Sequence, residues 1–308
     1  MPSTTNGKVI FNEKIASGYP IPGRTVRYDA TEQLDLDAVP LHGGVLVKTL
    51  TLSVDPYFRI LMAEGAEVVR GIAGFGIGLV LRSEDARWAP GDHVYGVLPY
   101  QEYSVLPSSA PLRKTERLPG LPWSTYLGAA GMPGLTAYAG WKEYALQDGV
   151  IASAGSDDKV AFARACGADV AFNYKTADTA AVLKEHGPID LYWDNVGGKT
   201  LESALENANA QARFLICGSI AGYNSEPYHP KNLHLLHFRQ ITLYGFTVNI
   251  LGEKYLADFL AEVPPKLASG ALRSLEDVVK GLERAGDAIV AAQKGESKGK
   301  VAVLVAEE

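Results

Sequence analysis

Apolar residues follow two textures along this chain. Residues 1–120 hold short runs rich in Val, Leu and Tyr, such as GVLVKTLTLSV (Gly44 to Val54), FGIGLVLRS (Phe75 to Ser83) and HVYGVLPYQEYSVLP (His93 to Pro107). The strings GFGIG, APGD and LPG punctuate them. Short β-rich runs between such breakers predict strands closing into a small barrel.

From about residue 125 the texture changes. GLTAYAGWKEYALQ (Gly134 to Gln147) reads as a helix and VIASA (Val150 to Ala154) as a short apolar strand. SDDKVAFARACGA (Ser156 to Ala168) reads as a helix, with Ser156 at the N-cap and Gly167 near its end. DVAFNY, IDLYWDNVG, RFLICGSI and ITLYGFTV read as strands; TAAVLKEHG and LESALENA read as helices. Such alternation predicts βα units and a parallel sheet. Leu275, Val278, Val279, Leu282 and Ile289 fall mostly at helical spacing. KVAVLVA (Lys300 to Ala306) reads as a last strand that returns to the first domain. The fold class is therefore α/β, with domains at 1–124 and 125–272 and a return to the first at 273–308.

Composition narrows the function. In 308 residues, 47% are hydrophobic and 21% charged, enough for a sizeable core. The formal net charge is −6, so nothing points to nucleic acid or to anionic lipid surfaces. No apolar run approaches the roughly 20 residues of a spanning helix, and MPSTTNGKVIFNE has no signal core. Cys166 and Cys217 are the only cysteines, which suits a reducing compartment, and a cytoplasmic location is expected. They are too few for a structural zinc site. Of six histidines only His234 and His237 sit close, and they read as a helix face. No metal is expected.

Eight strings in one order then carry a resemblance. They are LSVDPYFR (Leu52 to Arg59), GFGIGLVLRSED (Gly74 to Asp85), GDHVYG (Gly91 to Gly96), GMPGLTAYAG (Gly131 to Gly140), IASAGSDDKVAFARACGADVAFNYKT (Ile151 to Thr176), DNVGG (Asp194 to Gly198), ICGSIAGYN (Ile216 to Asn224) and KGKVAV (Lys298 to Val303). Together they resemble the zinc-independent, NADPH-dependent alkenal double-bond reductases of the medium-chain dehydrogenase/reductase kind, which include the prostaglandin reductases. The resemblance covers nearly the whole chain. It implies a GroES-like barrel beside a Rossmann domain, NADPH as cofactor, and a small-molecule enone or enal as substrate. It also implies a homodimer.

One unit of that pattern is missing. A Rossmann site begins with a strand, a Gly-rich turn and a helix, whose backbone N–H groups receive the pyrophosphate. Here WKEYALQDG (Trp141 to Gly149) runs straight into VIASAGSDD. The Rossmann sheet is thus read as truncated, one strand short of six, with VIASA as its first strand. Either VIASA slides into the vacant central slot or the domain is poorly folded. Gly74, Gly76 and Gly78 offer no substitute, since no helix follows them; Gly128, Gly131 and Gly134 read as packing positions. The SAGSDDK turn has Asp157 and Asp158 in its first helical turn, where they repel phosphate.

The resemblance also assigns residues. Lys159 matches the lysine at the 2′-phosphate of NADPH, and Tyr174 a tyrosine at the adenosine end. Asn195, Cys217 and Gly218 match cofactor-side loops, with Cys217 read as inert packing. Phe246, Thr247 and Val248 match the segment beside the nicotinamide. Ser297 stands where the family usually carries asparagine. Tyr223 is the candidate donor to the developing enolate, and Tyr57 lines the site from the barrel side. Asp55 and Pro56 read as a turn, with Asp55 bonding local backbone. Two other readings stay open: a relative that has lost catalysis with its Gly-rich loop, and a quinone reductase. The loss of the Gly-rich loop is expected to impair activity.

Overall fold

The computed structural model describes residues 3–63, 70–145 and 149–308. Two compact units divide it: Met1–Pro133 with Pro264–Glu308, and Gly134–Val263. The division falls inside two helices, Met132–Tyr144 and Val248–Ala268. In the second it coincides with Pro264 and Pro265, where two backbone donors are lost from the helix.

The first unit is built on a seven-stranded sheet. Its path runs Arg113–Lys114, His93–Pro99, Ala73–Ser83, Val45–Ser53, Lys300–Leu304 and Glu276–Lys280, with Tyr103–Leu106 also pairing Val45–Ser53. A three-stranded sheet, Val26–Asp29, Lys8–Phe11 and Arg70–Gly71, supplies Val9, Phe11 and Val26 to the same core as Val47, Leu52, Val80, Leu98 and Val303. The GFGIG glycines are strand positions at a close approach: a Cβ on Gly76 would lie 2.8 Å from Leu52 Cδ2. The last strand pairs antiparallel with Val45–Ser53, so the chain does return to the first unit.

One expectation fails here. Leu275 to Val279 do not form a helix: Glu276–Lys280 is a strand, parallel to Lys300–Leu304. Val278 is exposed while Val279 packs on the core, a period of two and not of 3.6. Gly281, at φ 93°, ends the strand. Leu282 and Ile289 then reach the core from the helical turn Leu282–Arg284 and the helix Ala285–Lys294, which gave the mixed spacing.

The second unit holds five strands among the described residues, in two sheets. Ile151–Ala154 pairs in parallel with Val170–Asn173. Ile189–Asp194, Ala208–Ile216 and Thr242–Gly245 form the other sheet, also parallel. In the order 3-2-1-4-5-6 these correspond to strands 3-2 and 4-5-6, with no strand 1 between them among the described residues. VIASA is the first strand of the unit, as the sequence predicts, but it has not slid across to close the slot. The burial agrees. Strands covered on both faces are normally buried, yet of Ile151–Ala154 and Ile189–Asp194 only Asp194 is. The helix Asp157–Ala165 buries no residue at all. The core of this unit, around Leu183, Ala204, Leu205 and Phe214, lies with the three-stranded sheet. The junction itself, Leu146 to Asp148, lies outside the described residues.

Candidate functional site

In open parallel sheets ligands bind at the carboxyl ends of the strands. Register identifies that edge here. Asp194 pairs with Ile216, and Ile216 with Gly245. Asn195, Cys217 and Phe246, one residue beyond each, therefore stand side by side at one edge. The sequence could name these residues but not align them, because register is set by packing across the sheet.

The loops at this edge are tied together by backbone. Cys217 and Gly218 donate their N–H groups to the Asp194 carbonyl at 2.9 and 3.0 Å, and Ile220 donates to Asn195 O at 3.1 Å. Asp194 is fully buried, and its Oδ1 accepts from the N–H of Val196 and of Gly197, each at 2.8 Å. This closes the DNVGG turn, in which Gly197 and Gly198 take φ of 70° and 59°. Sequence reasoning passed over Asp194; the aspartate followed within three residues by glycine is the turn signal that would have found it. Gly218 passes so close that a Cβ would lie 3.2 Å from Asn195 O.

Tyr223 ends the short helical turn Ile220–Gly222 and is half-buried. Its loop is anchored further on by Glu202, which accepts from Tyr228 Oη at 3.0 Å and from Lys231 N–H at 2.7 Å. Burial, and then the Asp194 charge, raise the Cys217 thiol, so it stays protonated and unreactive. The Phe246 ring is buried against Trp193 and Tyr144, with centroids 5.4 and 5.9 Å away, so it offers a ligand its backbone and not its face. Thr247 is exposed and Val248 opens the following helix.

The second edge belongs to Ile151–Ala154 and Val170–Asn173. Ala154 pairs with Asn173, so Gly155 and Tyr174 stand together beyond it. A Cβ on Gly155 would lie 2.8 Å from the Tyr174 hydroxyl; the tyrosine lies directly over the glycine. Lys159 is half-buried in the helix that follows, behind Asp157 and Asp158. Ser156 holds the N-cap position, but its side chain makes no capping bond. No glycine-rich turn opening onto a helix stands between the two edges among the described residues.

Tyr57 and Ser297 belong to the first unit. Tyr57 packs edge-on to Phe58, centroids 5.1 Å apart. Burial, then the charge of Asp55, drive its phenol well above the usual range, so it is protonated and able to donate. Asp55 opens the turn that the sequence predicts, its carbonyl accepting from the Phe58 N–H at 3.1 Å, but its side chain does not bond local backbone. It is buried and paired with Lys300 Nζ at 2.5 Å, and accepts from Ser53 Oγ at 2.6 Å. The partner lies 245 positions away, beyond any local signal. Ser297 is half-buried in the loop before the last strand.

Comparison with known proteins bears on what this edge serves. Residues 29–113 match the family described as the N-terminal domain of oxidoreductase, and residues 134–262 the family described as zinc-binding dehydrogenase. The chain is 34% identical to the NADP(+)-dependent 2-alkenal reductase of Nicotiana tabacum, over 100% of both chains. It belongs to the zinc-independent alkenal reductase family of medium-chain dehydrogenases/reductases. Prostaglandin reductase 1 of Mus musculus, another member, is 30% identical over 86% of this chain and 90% of its own. The solved structure of CurA from Vibrio vulnificus in complex with NADPH superposes with a TM-score of 0.86, at 25% identity, over 98% of this chain and 100% of that one.

Two family features can be checked on this chain. Although one matching description names zinc, no three His, Cys, Asp or Glu side chains gather as a metal site among the described residues. His234 and His237 instead flank the Phe238 ring. The alignment with the tobacco alkenal reductase runs over 347 positions, against 308 residues here, so at least 39 positions of it find no residue in this chain.

Proposed function

We propose that this chain is an NADPH-dependent reductase of the carbon–carbon double bond in α,β-unsaturated aldehydes and ketones. The observation that carries this reading is the aligned edge Asn195–Cys217–Phe246, with Tyr223 on the same loop system, in a chain 34% identical throughout to a 2-alkenal reductase. When bound, NADPH supplies a hydride to the β-carbon of the substrate. Lys159 would hold the 2′-phosphate, a point charge where an NAD enzyme places a carboxylate. Tyr174 would lie along the adenosine end. Asn195, Gly218 and the Phe246–Val248 backbone would line the other half. Negative charge then develops on the substrate oxygen, and the Tyr223 hydroxyl donates a hydrogen bond to it. Tyr57, held protonated, is the second phenol assigned to the substrate.

The residues fit the two ends of NADPH better than its middle. The pyrophosphate needs several convergent N–H groups, and Gly155, before the helix that carries Lys159, is covered by Tyr174. We therefore propose a reductase with weakened cofactor binding. We further propose a homodimer in the cytoplasm, testable by light scattering and fractionation. The deciding experiment measures NADPH oxidation with a 2-enal and with a quinone. Faster turnover of the quinone, or NADH used as readily as NADPH, would overturn the assignment.

A further inference from the structure

The segment Ser53–Tyr57 leaves its strand with four of its backbone polar atoms held by residues distant in sequence. Tyr100 Oη donates to Ser53 O at 2.5 Å. Lys300 Nζ donates to Val54 O at 2.6 Å and to Asp55 Oδ1 at 2.5 Å. Gln293 Nε2 donates to Pro56 O at 2.7 Å. The Val54 N–H donates to Val301 O at 3.1 Å. Tyr100, Asp55 and Gln293 are all buried. Gly128 makes room for the lysine stem, since a Cβ there would lie 3.1 Å from Lys300 Cγ.

Stability alone does not explain this arrangement. A buried ion pair is often replaced by apolar side chains at no loss, because desolvating two charges offsets their attraction. What the pair supplies here is geometry. Gln293 and Lys300 bracket Ser297 in sequence, and both reach the turn that delivers Tyr57. We propose that Lys300, Asp55 and Gln293 form a positioning clamp, which fixes the Tyr57 turn and the Ser297 loop against each other within the first unit. Tyr57 meets the substrate; the clamp residues act through it. The proposal rests on the reductase reading only for its kinetic consequence.

The test uses three variants of the full chain. Gln293→Met removes a neutral donor at similar length. The double variant Asp55→Asn/Lys300→Met removes the pair without stranding one charge. Lys300→Arg keeps a cationic donor. Hydrogen exchange of amides 53–58 is compared with exchange of Val45–Thr51, and 2-enal reduction is measured alongside. The first two variants should speed exchange in 53–58 by about tenfold, as loss of one net hydrogen bond implies. They should lower kcat by about 10- to 100-fold while KM for NADPH stays within about twofold, because misplacement harms the chemical step and not cofactor binding. Lys300→Arg should regain most of the loss. Unchanged exchange in 53–58 would overturn the clamp, as would loosened exchange with unchanged kcat. A parent chain that reduces no enal would sink the reductase reading by itself, and exchange would still decide on the clamp.

Discussion

Inserting a strand, a Gly-rich turn and a helix between Ala145 and Val150 should restore what the second unit lacks. The perturbation follows from topology: the edges of Ile151–Ala154 and Ile189–Asp194 each lack one parallel neighbour among the described residues. A segment of about 30 residues is the size of the missing piece of a βαβ unit. The at least 39 alignment positions without a counterpart here leave room for it. The inserted strand would pair with both edges and bury Ile151, Tyr192 and their neighbours, which are now half-exposed.

The magnitude comes from the pyrophosphate. A Gly-rich turn gives it several N–H donors and a helix N-terminus, and each charge-assisted contact is worth roughly 1.5–3 kcal/mol. Losing two such contacts weakens NADPH binding by about 3–6 kcal/mol, or roughly two to four decades in Kd. In the proposed arrangement Lys159, Tyr174 and Asn195 do not replace them, since there they address other parts of the cofactor. Asp157 and Asp158, in the first turn of the helix that follows Ile151–Ala154, push the wrong way. The assay is a fluorescence titration of NADPH, with 2-enal reduction, in the 308-residue chain and in the insertion variant. Kd should fall by those decades on insertion, and turnover should rise with it. Micromolar affinity and brisk turnover in the 308-residue chain would refute the reasoning, and so would an insertion that folds but leaves Kd unchanged.

Three other outcomes are expected. Replacing Lys159→Ala should reduce the preference for NADPH over NADH by about 1–3 kcal/mol, the worth of one charge-assisted contact, read from competitive titration of both nucleotides. Tyr223→Phe should cost about 10²–10³ in kcat, the effect of one lost oxyanion donor, with little change in NADPH affinity; an unchanged kcat would exclude it as the donor. Stability should fall as pH rises above 10.0, the ordinary phenol value, because burial raises Tyr57, Tyr95, Tyr100 and Tyr192 above it. The unfolded chain then ionises phenols that the fold keeps neutral, and so gains relative stability. Lys300 opposes this, since burial lowers its value, but it is one group against four. A melting temperature that stays flat between about pH 8 and 11 would count against these assignments.

Legibility in the sequence followed the range of the forces involved. Strands such as Ile189–Asp194 and helices such as Gly198–Glu206 were readable because period and breakers act within a few residues. Glu276–Lys280 was not, because its strand character comes from pairing with Lys300–Leu304, 24 positions on. Asp55 reads as a turn former from DPY alone; only the fold brings Lys300 to it. ITLYGFTV reads as a strand throughout, but the strand stops at Gly245 and Val248 opens a helix; the Phe246 ring turns inward onto Trp193, and no pattern of neighbours states that. The gap between WKEYALQDG and VIASAGSDD was legible for the opposite reason: it lies in the order of motifs, which needs no contact to detect.

The two units therefore differ in what holds them. The first closes its sheet around a shared core, and its candidate phenol is pinned by side chains from several distant segments. The second keeps a core beneath one sheet and leaves the other, with Lys159 and Tyr174, joined mainly by its own parallel pair. Local opening is easiest where few apolar contacts must break. The adenosine end of the proposed cofactor site thus sits on the less secured half, while Asn195, Cys217 and Tyr223 sit on the better packed one. Binding NADPH to both would order two sheets that share no strand among the described residues, so the observed Kd should be weaker than a preformed site gives. Ligand linkage then sets the gain in stability at RT ln(1 + [L]/Kd) with that observed Kd, about 2.7 kcal/mol at a hundredfold excess over Kd. Hydrogen exchange with and without NADPH separates the two cases. Protection gained along Ile151–Ala154 and Val170–Asn173 supports ordering on binding, and protection confined to the loops after Asp194 and Ile216 rules it out.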